Sequence, residues 1–417
     1  MGLKLILALV LVVLHFSCCA SNPLKIGVIT DIHYLSENLM EDGKALDMYA
    51  IEAGRNIKET PAILDKVISD YLESEIDILL IAGDITRNGE KQSHIDFVAK
   101  LRPLIDNGVR VFVVPGNHDI NMPNAVRYQG DSVLPVDNIS PADFEAIYND
   151  CGYSSAIRRD TASLSYVSVL NDNTWLLALD GCKYREYTDV SISSGRISAD
   201  TERWILEVLT EAKRRGVRVL SMMHHGLAEH FMYQDMFFPQ YLIDDWKRLA
   251  GFFADNGVKV VFTGHFHAND ITRFTSDSNN TVYDIETGSL STYPYPYRLV
   301  ELSDKGVDIS TKNIKSIPSN PNLYMDGKAR VKDWAQHAAT QKLRSMGYSF
   351  SEDKLSQIAD VASDIIVLHV EGDEVIDENL QRKITRLASG LELPMLFVPE
   401  NIQIDFPPQD NHYYIPF

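Results

Sequence analysis

Basic residues are in deficit in this sequence, which has 39 Lys and Arg side chains against 58 Asp and Glu and a formal net charge of −19. A chain with this balance repels nucleic acid and anionic lipid headgroups at long range. General nucleic-acid binding is therefore disfavoured. Any anionic ligand would also be repelled unless cations or local arginines reverse the field where it binds.

Internal repeats and low-complexity tracts are absent as well, so neither a fibrous repeat nor a disordered chain is indicated. The apolar fraction of 45% and the charged fraction of 23% are typical of globular proteins. At 417 residues, the chain has room for one large catalytic domain and an accessory domain.

Long apolar runs are missing apart from Leu5–Leu14, which follows Lys4. This run is short for a bilayer span but typical of a secretory signal, so we expect Met1–Ala20 to be a signal and the chain to be exported. The end of the segment, Ser17-Cys18-Cys19-Ala20, resembles a bacterial lipoprotein box. It favours a periplasmic or outer-envelope lipoprotein acylated at Cys18, or else at Cys19, with no other membrane contact. The alternative is cleavage after Ala20 and free secretion.

Cysteine is scarce, with four in the chain, and only Cys151 and Cys182 lie beyond the predicted signal. An oxidising compartment would let these two pair. Two small buried thiols are an equally good interpretation. Their spacing does not decide between the two.

Short apolar segments alternate with amphipathic ones from Lys25 onwards, which predicts a layered α/β domain. The predicted strands are Lys25–Thr30, Ile76–Ala82, Arg110–Val114, Trp175–Leu179, Val217–Met223 and Lys259–Thr263. A later antiparallel set is predicted at Val282–Glu286, Tyr297–Leu302 and Gly306–Thr311. Helical spacing occupies Thr60–Glu75, Ser93–Asp106 and Asp200–Arg215.

Prolines and small polar residues at Ile317-Pro318-Ser319-Asn320-Pro321 predict a domain boundary. The sequence therefore divides into a signal (1–20), a catalytic domain (21–317) and a helical C-terminal appendage (318–417). Three helices are predicted in the appendage, at Lys328–Gly347, Ser351–Leu368 and Glu374–Leu391, before a proline-rich tail.

Five segments that can carry chemistry each follow a predicted strand, and they contain six of the twelve histidines. Because the carboxyl ends of strands in an open α/β sheet share one edge, these loops can converge on a single crevice. Taken singly, most of them are weak signals, but together they predict a binuclear metal site. The segments are Asp31-Ile32-His33, Gly83-Asp84, Gly116-Asn117-His118-Asp119, His224-His225 and Gly264-His265-Phe266-His267.

This pattern resembles the calcineurin-like metallophosphoesterases over about Lys25 to Thr311. The resemblance implies a layered β-sandwich flanked by helices. It also implies a set of metal ligands: Asp31, His33 and His267 for a first metal, Asn117, His224 and His265 for a second, and Asp84 bridging both. Imidazole with carboxylate or amide oxygen suits Zn, Fe, Mn or Co, so we expect two transition-metal ions.

The activity implied is hydrolysis of a phosphate ester on a small molecule, with attack by a hydroxide that the two cations share. His118, next to a ligand but not itself one in the family pattern, is the candidate catalytic residue for the leaving group, and bracing of its loop is the alternative. Asp119 either orients His118 or closes the loop. A phosphodiester is the expected substrate; the alternatives are a phosphomonoesterase, or an envelope binding protein with a vestigial metal site.

Two departures from family patterns concern Arg87. It stands where Ser/Thr protein phosphatases have an aspartate and where purple acid phosphatases have a tyrosine ligand, so the chain looks closest to the small-molecule phosphodiesterase branch. Specificity is expected from the insert Ile120–Arg196, with its arginines and tyrosines, and from the aromatics of residues 230–238. A solvated insert and packing of the next helix by the aromatics are the alternatives.

Overall fold

The computed structural model describes residues 23–345, 347, 350–389 and 404–417. The predicted signal Met1–Ala20 and both candidate acylation sites, Cys18 and Cys19, lie outside these residues, as does the end of the predicted helix Glu374–Leu391. Among the helices of the described part, none is long and apolar enough to cross a bilayer.

Fifteen strands are found in the described residues, and most belong to two large sheets. They are β1 (Leu24–Ile29), β2 (Ile78–Ile81), β3 (Arg110–Val113), β4 (Val126–Gln129), β5 (Ser132–Pro135), β6 (Arg158–Arg159), β7 (Tyr166–Asn171), β8 (Thr174–Leu179), β9 (Arg218–Met223), β10 (Val260–Thr263), β11 (Asp270–Thr275), β12 (Thr281–Glu286), β13 (Pro296–Leu302), β14 (Gly306–Asn313) and β15 (His412–Pro416).

The first sheet has the order β15-β14-β13-β1-β2-β3 and the second has the order β11-β12-β10-β9-β8-β7-β6. Strands β1, β2 and β3 are parallel, as are β8, β9, β10 and β12. The carboxyl ends of these parallel strands carry the five segments predicted to bind metal. A separate hairpin is formed by β4 and β5.

Eleven α-helices are found in the described residues. They are α1 (Lys44–Ala53), α2 (Thr60–Glu73), α3 (Lys91–Lys100), α4 (Arg102–Asp106), α5 (Pro141–Ile147), α6 (Ala199–Arg215), α7 (Gln234–Phe237), α8 (Trp246–Asp255), α9 (Leu323–Ser345), α10 (Glu352–Glu371) and α11 (Glu378–Ser389).

Side chains of the two sheets share one buried core, and helices cover their outer faces. On β8, Leu176 and Ala178 pack into the core that also contains Ile26 of β1. The alternate residues Leu177 and Leu179 pack instead with α6 and α8. This period of two is what a strand buried on both faces requires. The expected layered β-sandwich flanked by helices, with helices in the C-terminal part, is confirmed.

The nine predicted strands are found within two residues at each end, but one of them belongs elsewhere. Strand β12 (Thr281–Glu286) lies in the second sheet between β11 and β10, so the prediction of one antiparallel set with β13 and β14 is wrong. The predicted helix at Ser93–Asp106 is also split into α3 and α4. Pro103 explains the split, because it lacks a backbone N–H and its ring clashes with the preceding turn.

The described residues of the C-terminal part form three helices, α9 to α11, and then a strand that the sequence interpretation did not include. Strand β15 pairs antiparallel with β14 at the edge of the first sheet, with Ile415 opposite Val307. The chain beyond Ile317 therefore contributes to the sheet that carries β1. The domain boundary at 317 stays a prediction.

Both cysteines beyond the predicted signal are free thiols. Cys151 is buried in the core between the sheets. The Sγ atom of Cys182 lies 3.3 Å from the carbonyl oxygen of Pro115. The structure therefore agrees with the interpretation of two small thiols.

Candidate metal centre

Backbone contacts hold three of the five strand-end segments together. The N–H of Asp31 donates to the carbonyl oxygen of Gly83 at 3.1 Å, and the N–H of His33 donates to that of Asp84 at 3.0 Å. The N–H of His265 donates to Oδ2 of Asp31 at 2.9 Å. Segments more than 200 residues apart in sequence are thereby fixed at one edge.

One group of donor atoms comprises Asp31, His33 and His267. Nε2 of His267 lies 3.1 Å from Oδ1 of Asp31 and 3.2 Å from Nε2 of His33. Nε2 of His33 lies 3.7 Å from the same Asp31 oxygen. These three side chains are the predicted ligands of the first metal.

A second group comprises Asp84, His224 and His265. Nε2 of His224 lies 3.4 Å from Oδ2 of Asp84 and 3.1 Å from Oδ1 of Asn117. Asn117 therefore joins this group, as the prediction for the second metal requires.

Asp84 lies between the two groups. Its Oδ2 atom is 3.4 Å from Nε2 of His224 in one group and 3.7 Å from Nε2 of His33 in the other. Its Oδ1 atom accepts a hydrogen bond from the N–H of His118 at 2.8 Å. The structure thus brings all seven predicted ligands together, with Asp84 in the position expected of a bridge.

The donor set fits bound cations. Asp31 is fully buried, and its Oδ1 atom has no hydrogen-bond donor among the described residues although it faces two imidazoles. A buried carboxylate oxygen without a donor is costly unless a positive charge compensates it. The mixture of imidazole and oxygen donors suits Mn, Fe, Zn or Co, and no cysteine belongs to either group.

The carboxylates of Asp31 and Asp84 also favour a positive charge between the two groups of donor atoms. Although burial alone would lower it, the charges of Asp84 and Asp31 raise the pKa of His224 to about 9. Burial, followed by the charge of Arg55, holds the pKa of His33 well below its usual range. A bound cation would replace the proton that His224 otherwise attracts, and it would leave the imidazoles neutral as ligands.

Five of the predicted ligands have left-handed backbone conformations. The φ angles are 49° at Asp31, 45° at His33, 47° at Asp84, 77° at His265 and 71° at His267. Such conformations cost free energy for residues other than glycine and cluster at functional sites. The local backbone is therefore shaped to aim these side chains at a common point.

Two positions next to the predicted ligands require glycine, because atoms of other segments lie where a side chain would begin. A Cβ atom on Gly116 would lie 2.1 Å from the backbone N and from Oδ1 of Asp84. A Cβ atom on Gly83, where φ is +91°, would lie 2.7 Å from Nδ1 of His224. Side chains at these positions would displace the carboxylate shared by the two groups.

The candidate catalytic residue His118 lies at the open side of the centre. Its Nε2 atom is 4.0 Å from Oδ2 of Asp84, and 24% of its side chain is exposed. Its Nδ1 atom is 3.1 Å from the carbonyl oxygen of Arg87. Burial lowers the pKa of His118 to about 4, against the opposing charge of Asp84. The imidazole is therefore neutral at pH 7, with Nδ1 bonded to the loop and Nε2 facing the centre.

Asp119 closes its loop. Oδ1 of Asp119 accepts hydrogen bonds from the N–H and hydroxyl of Thr86 at 2.9 and 3.0 Å. Its Oδ2 atom accepts from the N–H groups of Gly116 and Ile85 at 2.7 and 3.2 Å. The second and third segments are thereby tied together, and the alternative in which Asp119 closes the loop is the one observed.

Arg87 points away from the centre. Its guanidinium pairs with Glu90 at 3.1 Å and lies 4.2 Å from the ring centre of Tyr49. The arginine that distinguishes this chain from the protein phosphatases therefore has a packing role.

The insert Ile120–Arg196 contributes less than the sequence suggested. Arg158 pairs with Glu211 at 2.6 Å, and Arg159 pairs with Glu145 at 3.0 Å. Tyr187 does reach the site, because its hydroxyl donates to the carbonyl oxygen of Asn117 at 2.9 Å. The insert thus supports the loop that carries the predicted ligand Asn117.

Arg55 is a residue within electrostatic range of the centre that the sequence interpretation missed. It lies between α1 and α2, and its positive charge lowers the pKa of both His33 and His118. Its Nη1 atom donates to the hydroxyl of Tyr49 at 3.3 Å. No motif surrounds Arg55, so only the fold shows that its charge acts on these histidines.

An aromatic wall borders the centre, formed by Phe231, Phe238, Tyr241 and Phe266. The ring centre of Phe266 is 5.5 Å from that of Phe231 and 4.8 Å from that of Tyr241. Tyr241 also lies 4.9 Å from His265. These aromatics are half-buried. Within residues 230–238, Phe231 and Phe238 pack against each other and against Phe266, which lies between His265 and His267; the wall residue that contacts a predicted ligand is Tyr241.

The chain is similar to a known protein family and to several solved structures. A family model described as calcineurin-like phosphoesterase matches residues 24–269. Among solved structures, a dimetal phosphatase from Danio rerio is similar at a TM-score of 0.49 and 15% identity, over 70% of this chain and 96% of that chain. A purple acid phosphatase from yellow lupin (Lupinus luteus) seeds is similar at a TM-score of 0.45 and 13% identity, over 70% of this chain and 51% of that chain. A comparison with curated protein sequences finds no match.

Proposed function

Since this chain belongs to the calcineurin-like phosphoesterase family, we propose that it hydrolyses a phosphodiester of a small molecule at the clustered carboxylates and histidines. The enzyme is a metal-dependent phosphoester hydrolase; the diester preference, the ligand roles and the part of His118 are the finer proposals. The position of Asp84 between two groups of metal-binding side chains carries the proposal.

The metal ligands in this proposal are the seven side chains predicted from the sequence. Asp31, His33 and His267 hold one cation, and Asn117, His224 and His265 hold the other, with Asp84 contributing to both. Two bound cations would lower the pKa of water and offset the negative charge of the phosphate. The strained loops hold the ligand atoms in place before substrate arrives.

Arg55 and His118 are the groups proposed to contact the substrate. Arg55 is proposed to offer its guanidinium to a phosphate oxygen; its positive charge acts at long range on His33 and His118, and its Nη1 atom donates to the hydroxyl of Tyr49. Nε2 of His118 is placed to donate a hydrogen bond to the leaving oxygen, because the side-chain amide of Asn88, in its hydrogen-bonded orientation, donates to Nδ1 at 2.6 Å and leaves the ring proton on Nε2. In this scheme the neutral imidazole stabilises the charge that develops on the leaving oxygen, and the proton that the leaving group finally takes up comes from water.

Charge and shape favour a diester. A diester carries one negative charge and two substituents, whereas a monoester carries up to two charges and one substituent. Among the described residues, the guanidiniums of Arg55 and Arg87 both contact Tyr49; that of Arg87 is paired with Glu90, which leaves the charge of Arg55 to meet a singly charged phosphate. It also has the aromatic wall beside His265, which can receive an apolar or ring-containing substituent.

The test compares two chromogenic esters with purified, Mn²⁺- or Zn²⁺-loaded protein. We expect bis-p-nitrophenyl phosphate to be hydrolysed with a higher kcat/KM than p-nitrophenyl phosphate, and Asp84→Asn to abolish turnover of both. A higher kcat/KM for the monoester would refute the diester preference. Turnover unchanged in Asp84→Asn would refute the site.

The role of His118 has a separate test. p-Nitrophenolate leaves readily without a proton, whereas phenolate depends more on one. We expect His118→Asn to slow a phenyl ester more than the matching p-nitrophenyl ester. Equal slowing of both esters would assign His118 to loop bracing.

We place this hydrolysis outside the cytoplasm, in the periplasm or at the outer envelope. The support is the apolar run Leu5–Leu14 followed by Cys18 and Cys19. Labelling of cells with a radioactive fatty acid tests the proposal, since it should mark the wild-type chain and not a Cys18→Ala, Cys19→Ala variant. An unlabelled wild-type chain would exclude the lipid anchor.

A further inference from the structure

A second group of acids, buried or half-buried, lies between the second sheet and the C-terminal part, apart from the candidate metal centre. Asp270 begins β11. His369 and Glu374 lie at the carboxyl end of α10, and Asp405 and Asp410 precede β15. The donor atoms of Asp270, His369 and Glu374 lie within 4.8 Å of one another, as do those of Asp270, Asp405 and Asp410.

Asp270 belongs to both sets and is fully buried. Its Oδ1 atom lies 2.7 Å from Nδ1 of His230. Its Oδ2 atom has no hydrogen-bond partner among the described residues, and the same holds for Oε2 of Glu374, whose side chain is fully buried. Carboxylate oxygens left in this condition are costly unless a cation or a donor reaches them.

Nearby positive side chains contact other atoms of this group and not Oδ2 of Asp270. His230 contacts Oδ1 of Asp270, and Nδ1 of His369 lies 2.5 Å from Oε1 of Glu374 but 3.9 Å from Oδ2 of Asp270. The buried Arg298 donates to the backbone carbonyl oxygens of Asp410 and Asp270, at 2.7 and 3.5 Å, and not to their carboxylates. Oδ2 of Asp270 is therefore left without a donor where the two acidic sets meet.

We propose that Asp270, Asp405 and Asp410, together with Glu374 and His369, form a further cation site that takes a hard divalent ion, Ca²⁺. Carboxylate oxygens dominate this set, whereas imidazoles dominate the candidate metal centre. Ca²⁺ accepts six to eight oxygen ligands in flexible geometry, including backbone carbonyl groups and water. The unpartnered oxygen of Asp270 is the observation that points to a ligand.

A cation here would join three distant parts of the chain. Asp270 lies three residues after His267 of the candidate metal centre. Hydrogen bonds already join the loop around Asp270 to the C-terminal part. The N–H of Ile271 donates to Oδ1 of Asp410 at 2.9 Å, and Nδ2 of Asn269 donates to the carbonyl oxygen of Val370 at 3.4 Å. Ca²⁺ would lock α10 and the segment before β15 onto the loop that presents His265 and His267.

The experiment titrates Ca²⁺ into metal-stripped full-length protein by calorimetry and follows thermal unfolding. Asp405→Asn removes one ligand charge, and no described residue donates a hydrogen bond to its Oδ1 atom. The control Glu378→Gln removes one charge from an exposed position on α11. An Asp84→Asn variant separates this site from the candidate metal centre, and Glu374→Gln replaces Asp405→Asn if the latter does not fold.

We expect one Ca²⁺ per chain in the wild type, in Glu378→Gln and in Asp84→Asn, with Tm rising by about 3 °C at a hundredfold excess over Kd. Asp405→Asn should weaken Ca²⁺ binding by roughly tenfold or more. The proposal is overturned if the wild type binds no Ca²⁺, if Asp405→Asn and Glu378→Gln bind it equally, or if Asp84→Asn alone abolishes binding.

Discussion

Replacing Gly116 by alanine tests how tightly the shared carboxylate is held. The added Cβ would lie 2.1 Å from the backbone N and Oδ1 of Asp84, about 1 Å short of the closest separation that Cβ atoms adopt. Asp84 or Gly116 must therefore shift by about 1 Å. Because a displacement of this size at a catalytic group costs about a hundredfold in rate, we expect kcat to fall about a hundredfold. Overpacking should also lower the free energy of unfolding by about 1–3 kcal/mol.

The assay measures kcat with bis-p-nitrophenyl phosphate under saturating Mn²⁺, alongside metal content and urea unfolding. The matched control is Gly251→Ala in α8, where an added Cβ meets no atom within 4 Å. That control should keep its activity and gain up to about 1 kcal/mol of stability, because alanine favours helix over glycine. If Gly116→Ala keeps a third or more of the wild-type kcat, the shared position of Asp84 is not essential to catalysis.

Three further changes address separate parts of the structure. Asp119→Asn should lower the free energy of unfolding by about 3 kcal/mol in urea titrations. In either orientation of the new amide, its NH2 group faces two hydrogen-bond donors and loses their bonds. The exposed Asp106→Asn should change the free energy of unfolding by less than ~0.5 kcal/mol. Arg55→Ala should lower kcat/KM by roughly thirtyfold in steady-state assays, while Arg158→Ala, which breaks a pair with Glu211, should leave it unchanged. Arg298→Met should lower the free energy of unfolding by about 3 kcal/mol or more in urea titrations, because buried carbonyl oxygens lose their donor. A decrease below ~1 kcal/mol would contradict that account.

The predicted strands agree with the structure because they are short apolar runs whose bounds are fixed by glycine or polar residues. Several of the missed strands lack that signal, whereas β7 (Tyr166–Asn171) is an apolar run that ends at a polar residue and was missed all the same. Strand β5 (Ser132–Pro135) is exposed along its whole length, and β6 has two residues. Strand β15 follows a proline-rich stretch, and its pairing with β14 cannot be predicted from local pattern. The sheet assignment of β12 depends on long-range pairing in the same way.

In the candidate site too, residues in local motifs were predicted and residues placed by long-range packing were missed. The seven predicted ligands come together because each follows a parallel strand, and the edge of the sheets makes these loops neighbours. Arg55 was missed because it belongs to no strand-end motif, and its position depends on the tertiary packing of the segment between α1 and α2. The arginines of the insert were plausible from composition, but Arg158 and Arg159 find acidic partners on the fold.

The left-handed φ angles of Asp31, His33, Asp84, His265 and His267 restrict how this protein could be re-engineered for another metal. Outside glycine, Asp, Asn and His adopt that conformation more readily than other side chains. An aspartate-to-glutamate exchange would strain the main chain as well as lengthen the side chain. Libraries that alter metal preference should therefore draw on Asp, Asn and His alone at these five positions.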